Sequence, residues 1–168
     1  MPLSMHQASA PVFVQGLKGL LIVLDKAIAH IEARKIDPAA FLQARLYPDM
    51  LPFTRQVQIA TDFAKGSVAR LAGEEPPAYP DTETSFAELR ARVVNTIACI
   101  EGFTAAQVDG SEDRDITLMR RGVATHVKGQ PYLLEQAMPN FYFHITTAYA
   151  LLRQGGVEVG KKDYLAVS

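Results

Sequence analysis

The sequence has little of the residue types that mark several protein classes. It has one cysteine in 168 residues, which excludes an intramolecular disulfide and any metal site built from several cysteines. Lys and Arg number 17 against 18 Asp and Glu, so the formal net charge is -1. A broad nucleic-acid-binding surface would need clustered positive charge. We therefore expect no nucleic-acid partner.

The longest uncharged stretch near the amino terminus, residues 1–17, lacks the features of a targeting or membrane segment. Prolines and polar side chains interrupt it, and it has neither a basic leader nor a continuous apolar core. We therefore expect no signal peptide, no membrane span and no membrane partner. Together with the single cysteine, this pattern predicts a reduced, cytoplasmic protein.

Signatures of common catalytic sites are also missing. The sequence contains no G-x-S-x-G, H-E-x-x-H or Cys-x-x-Cys motif and no glycine-rich phosphate loop. What is present is ordinary for a soluble globular protein, with 48% apolar and 21% charged residues. The length fits one domain over residues 1–168.

Apolar residues recur every three or four positions in four long segments, as on the buried face of an amphipathic helix. These stripes cover residues 13–31, 53–71, 86–100 and 134–151. We expect the first helix to end near Lys35, the second to begin at residues 51–53 and end at Gly73, the third to end at Gly102, and the fourth to span about residues 131–153. Residues 38–45 and 104–108 are expected to form short helical turns.

Residues 116–119 and 123–127 flank Arg120-Arg121-Gly122 and predict a small β-hairpin, which must lean on the helices because two strands alone are marginal. Residues 157–168 are expected to form a tail, in which residues 161–164 are either solvated or close over a partner subunit. The predicted fold is all-α, a four-helix bundle with a β-hairpin between its third and fourth helices.

His144 is the most informative candidate for a functional residue. It lies on the apolar stripe of the fourth helix, where an unpaired imidazole would cost a few kcal/mol. Asn140 and Thr147 lie about one turn to either side, so all three can face one cavity. Two readings stay open, a core histidine satisfied by a neighbour and a ligand-binding or catalytic histidine. Pro139 is expected to kink the same helix.

Two further side chains are candidates at the start of the second helix. Asp49 either interacts with the exposed amides of that helix or leans into the mouth of the bundle to orient a histidine or a ligand. Gln56 is next to the apolar stripe, so its amide either reaches the bundle centre or faces solvent. The remaining histidines, His6, His30 and His126, carry a weaker signal.

Several segments resemble the DinB/YfiT-like superfamily of four-helix bundles. More closely, the chain is similar to a bacterial domain-of-unknown-function family within it. The resemblance covers nearly the whole chain and is carried by residues 4–24, 46–50 (LYPDM), 55–58 (RQVQ), 139–144 (PNFYFH), 148–153 (AYALLR) and 160–165 (GKKDYL). It implies the fold predicted above and a homodimer.

In that superfamily, metal-binding members hold a divalent ion with three histidines, two from an H-x-x-x-H pair on the last helix and one from the second helix. By this resemblance the pair falls on Asn140 and His144, and the second-helix position falls near Gln56 or Gln58. Only His144 is retained as a metal ligand, so we expect no cofactor, with zinc or nickel as the alternative. Amide carbonyls are weak ligands for these ions.

Three functions follow in order of preference. The first is a bundle that binds a small polar ligand without metal around Asp49, Gln56, Asn140 and His144. The second is implied by the resemblance: a metal-dependent thiol transferase or isomerase with a substituted site, whose ligands would include Asp49, His144 and His6. The third is an interaction protein, a dimer whose polar core only fixes the register of its helices.

Overall fold

The computed structural model describes residues 2–167, apart from the side chain of Arg120; Met1 and Ser168 of the expected domain lie outside the described residues. It confirms a mostly helical chain with a small antiparallel hairpin late in the sequence. The helices are α1 (Met5–Arg34), α2 (Pro38–Leu42), α3 (Phe53–Ala72), α4 (Phe86–Glu101), α5 (Ala105–Val108), α6 (Gly129–Pro131), α7 (Met138–Gln154) and α8 (Lys161–Leu165). No helix in residues 2–167 is long and apolar enough to cross a membrane.

Local chemistry explains where the long helices begin and end. Ser4 and Gln7 form a reciprocal capping box at the start of α1, and Ser85 and Glu88 do the same for α4. Each box satisfies backbone N–H groups that have no partner inside the helix. Helix α3 ends at Gly73, whose φ of 80° lies in the left-handed region that glycine adopts without steric cost.

The contacts between helices define their directions. Asp25 pairs with Arg90, and Val14 and Ile100 line one cavity, so α1 and α4 are antiparallel. Phe53 packs against Phe86 and Thr61 contacts Arg92, so α3 and α4 are parallel.

The fourth long helix, α7, completes the bundle. Phe13 meets Phe141 and His30 lies beside Gly156, so α7 runs parallel to α1. Its contacts with α3, described below, are antiparallel. Because two consecutive long helices, α3 and α4, run the same way, the connection at residues 73–85 must cross back along the bundle.

The hairpin consists of β1 (Asp115–Arg120) and β2 (Val123–Lys128), which pair antiparallel with Ile116 opposite Val127. Ile116 is buried and Val127 half-buried, so one face of the hairpin base rests on the helices. This contact supplies the support that an isolated two-stranded sheet lacks.

The fourth long helix begins earlier than predicted and is not uniformly α-helical. A π-helical turn (Tyr132–Ala137) joins α6 to α7 without a break. Pro139 follows this turn directly and cannot donate a backbone hydrogen bond to the preceding turn. A wider turn next to a proline is one of the recognised irregularities of long helices.

Two local expectations are wrong. Of the expected tail at residues 157–168, the described part, residues 157–167, is not free, because Val157 and Val159 are buried and α8 packs along α1. Asp49 does not cap α3, because the helix begins at Phe53 with Pro52 in the capping position, three residues beyond Asp49. Burial of Val157 and Val159 fixes the carboxyl-terminal segment, and Pro52 fixes the start of α3. The spacing of apolar residues in the long helices predicts neither feature.

Candidate functional site

A hydrogen bond between α3 and α7 joins two of the four side chains that the sequence singled out. Gln56 lies one turn inside α3, and His144 lies within the second turn of α7. Oε1 of Gln56 is 2.7 Å from Nδ1 of His144, and both side chains are buried. Ser67, further along α3, and Tyr132, in the π-helical turn that precedes α7, also touch. The antiparallel packing of α3 and α7 therefore forms the pair.

The backbone carbonyl of Leu51 determines which atom of the Gln56 amide faces the histidine. Nε2 of Gln56 donates to the Leu51 oxygen at 2.9 Å, which leaves Oε1 to face His144. An amide oxygen only accepts, so Nδ1 of His144 carries the proton between them. In a neutral imidazole the other nitrogen, Nε2, is then unprotonated and presents a lone pair.

Nε2 of His144 has no protein partner among residues 2–167. This nitrogen is not fully buried, however. The only fully buried side-chain nitrogen or oxygen without a hydrogen-bond partner among these residues is Oγ of Ser111. His144 keeps 9% of its surface exposed, and its Nε2 contributes to that opening. A hydrogen-bond acceptor of fixed orientation thus reaches the surface between α3 and α7.

Aromatic rings surround the imidazole. The ring of Phe63 lies nearly parallel to it at a centroid distance of 6.2 Å, and the ring of Phe143 lies perpendicular to it at 5.2 Å. Phe143 is itself 55% exposed. Burial lowers the pKa of His144 from its ordinary value, and no charged neighbour offsets that effect. His144 is therefore neutral near pH 7, as the tautomer argument requires.

The other two predicted side chains do not join this pair. Asn140 is exposed, and its amide donates to the carbonyl of Gln136 at 2.6 Å, one turn back along the helix. Asp49 is exposed in the turn at residues 47–50. The structure thus brings together Gln56 and His144 and leaves Asn140 and Asp49 at the surface.

The positions that the resemblance links to metal do not fit a three-histidine centre. Both polar groups of the Gln56 amide are engaged, and the Gln58 amide bonds to Arg55 and Glu83. His6 lies at the start of α1, where its backbone N–H donates to Asp109. No group of three His, Cys, Asp or Glu side chains in the described chain could hold an ion.

Sequence reasoning missed a second polar cluster, which lies between α3, α4 and the crossing connection. Arg92 is 3% exposed and contacts Thr61, Asp62 and Glu83. Its position three residues after Leu89 on the buried face of α4 was the available signal. Because the guanidinium of Arg92 pairs with Asp62 on α3 and with Asp81 and Glu83 on the connection, the cluster is a structural clamp on the connection.

Fold and site together define a DinB-like helical bundle. The structure is similar to a solved DinB family member protein from Shewanella denitrificans, with 42% identity, a TM-score of 0.88, and coverage of 97% of this chain and 92% of that one. Residues 5–165 match the model of the family described as Domain of unknown function (DUF1993), and the chain belongs to that family. No curated protein matches it.

Proposed function

We propose that the protein binds a small, neutral, polar molecule at His144, and that this molecule donates a hydrogen bond to Nε2. The observation that supports the proposal is the chain of contacts from the Leu51 carbonyl through Gln56 to Nδ1 of His144. These contacts select one tautomer and leave the lone pair of Nε2 available between α3 and α7. An acceptor that is oriented before the ligand arrives loses less entropy on binding.

The surroundings of His144 favour a neutral ligand over a charged one. The imidazole is neutral and is flanked by Phe63 and Phe143 instead of by ionised side chains. Transfer of a charged group into such surroundings would need a compensating charge that these neighbours do not supply. An N–H or O–H donor with an apolar or aromatic body suits both the acceptor and the exposed ring of Phe143.

Metal-dependent thiol transfer is the second candidate, and one contact favours it. A metal-bound histidine commonly donates its other ring proton to an oxygen, as Nδ1 of His144 does to Gln56. The donor set argues against it, because zinc and nickel favour imidazole and thiolate, whereas the neighbour of His144 is an amide already engaged by Leu51. We therefore place it second.

The test is an NMR titration of full-length, ¹⁵N-labelled protein. Long-range ¹H–¹⁵N correlations first assign the tautomer of His144, and the protein is then titrated separately with acetamide, urea and phenol as probes. We expect Nε2 of His144 to respond to at least one probe in a saturable manner. Gln56→Ala should weaken the response, because it frees the imidazole to exchange tautomers.

The matched control is His126→Gln, which changes an exposed histidine in the hairpin. This variant should titrate like the natural protein. Failure of every probe to shift Nε2, with the His144 signals observed, would show that the proposal is wrong. Elemental analysis of untagged protein, purified without chelator, tests the second candidate. Stoichiometric zinc or nickel that is lost in His144→Ala would replace the ligand proposal with the metal one.

A further inference from the structure

A cavity lies between α1 and α4, on the opposite side of the bundle from His144. Its volume is about 540 Å³. Ala10, Val14 and Ile100 line it and are at least nine-tenths buried, and the half-buried ring of Phe103 completes an apolar surface. An apolar cavity of this size with a few polar groups at its edge is the usual form of a small-molecule site.

One cation at the edge of this cavity has no partner within the protein. The ammonium group of Lys18 makes no hydrogen bond or ion pair with any residue in the described range 2–167. The neighbouring Gln15 is not available to a ligand, because its amide donates to the carbonyls of Leu165 and Ala166. Lys18 is therefore the free ammonium group of this cavity, whose lining also includes His6 and Thr104, and a carboxylate is the group that Lys18 would recognise.

The apolar lining extends from Lys18 along α1. Val14 lies about one turn and Ala10 about two turns from Lys18 towards the amino terminus. At the helical rise of 1.5 Å per residue, Ala10 is about 12 Å from Lys18 along the helix axis. The ring of Pro11 also lines the cavity and has no backbone N–H to offer. A ligand held at Lys18 would thus place an apolar body along Val14 and Ala10.

Glu101 limits the charge that the cavity can accept. The antiparallel pairing of Asp25 with Arg90 puts Glu101 at about the level of Val14, roughly one turn from Lys18. Its carboxylate is exposed and has no ion-pair partner in the described chain. A second negative charge on the ligand would meet Glu101, so the cavity should discriminate against dicarboxylates.

We propose that this α1–α4 cavity binds a small monocarboxylic acid with an apolar body, with its carboxylate on Lys18 and its body on Val14, Ala10 and Ile100. The site is separate from His144 and does not depend on the function proposed above.

The experiment is an NMR titration of the full-length protein with sodium hexanoate, with hexanamide and adipate as comparison probes. We expect saturable shifts at the amides of Ala10, Val14 and Ile100, with weaker binding of both comparison probes. Lys18→Gln should weaken hexanoate binding about two- to fivefold, the range for an exposed ion pair. Glu101→Gln should strengthen hexanoate binding and reduce the discrimination against adipate.

The opposite effects of these two variants separate a real site from general adhesion to an apolar surface. Lys162→Gln, which removes an exposed lysine from α8, is the control and should leave hexanoate binding unchanged. His144→Gln should also leave it unchanged, which keeps this test independent of the first proposal. Absence of saturable shifts, or equal binding by the natural protein and Lys18→Gln, would overturn the inference.

Discussion

The backbone carbonyl of Tyr164 lies directly against Gly19, so that a Cβ atom on residue 19 would be 2.0 Å from the oxygen. This contact lets α8 lie flat on α1. Asp163, which pairs with Lys26, and the Tyr164 hydroxyl, which bonds to Thr146, hold the short helix from either side. The carboxyl-terminal segment is therefore a packed part of the bundle.

Gly19→Ala should displace α8 and lower the free energy of unfolding by about 1–3 kcal/mol, the range for overpacking. Hydrogen exchange should become faster in residues 161–165. Gly66→Ala is a matched control, because its Cβ would approach mainly the flexible end of Arg70, and alanine favours a helix over glycine. If the α8 amides in Gly19→Ala stayed protected, the close backbone contact would be wrong.

The buried histidine should make stability depend on pH. Because burial lowers the pKa of His144 below its ordinary 6.5, the unfolded chain binds this proton more readily than the folded one. The free energy of unfolding should therefore fall as the pH drops below about 6.5, until the pH passes the folded pKa. Urea unfolding at about pH 7.5 and pH 5 measures the change.

The part of this change that belongs to His144 should disappear in His144→Gln, which cannot titrate. His126→Gln, which alters an exposed histidine, should keep the full pH dependence. An identical loss of stability between the two pH values in the natural protein and in His144→Gln would contradict the assignment to His144.

Gln56→Glu should raise the pKa of His144. A carboxylate next to Nδ1 favours the imidazolium, whereas the amide oxygen present in the natural protein carries no charge. An NMR titration of the His144 ring measures the shift, and the exposed His126 in the same variant provides an internal reference. An unchanged pKa of His144 would mean that residue 56 does not face the imidazole in solution.

Arg92→Ala should destabilise the protein by about 3 kcal/mol, the low end of the range for a broken buried pair. We expect the low end because Asp62 and Asp81 are more than a third exposed and can regain water. Arg90→Ala breaks only an exposed pair with Asp25 and should cost much less than Arg92→Ala. Chemical unfolding of both variants checks the comparison; equal losses would show that Arg92 does not clamp the connection.

The homodimer and the cytoplasmic location remain predictions. The dimer was implied by the family resemblance, and sedimentation of the untagged protein measures it.

If the polar pair at His144 served only the register of the helices, His144→Ala would change stability without affecting the binding of any probe.

The candidate site was partly predictable. His144 was identifiable because an imidazole on an apolar stripe must find a partner, and Gln56 because its position borders the stripe of α3. The partnership between them was not predictable, since the two residues are 88 positions apart in the chain and meet only through the alignment of α3 with α7. Asn140 shows the limit of the same reasoning, because it shares a helix with His144, yet its amide bonds to a carbonyl of its own helix.

The sequence by itself determined the four amphipathic helices, the ends of the first three, and the position of the hairpin, because these depend on residue periodicity and local backbone chemistry. Tertiary structure decided that α3 and α4 are parallel, that Arg92 is buried among carboxylates, and that α8 packs on Gly19. It also decided that Leu51 orients Gln56 against His144. These features depend on contacts between residues far apart in the chain, whose free energy exists only once the helices have packed together.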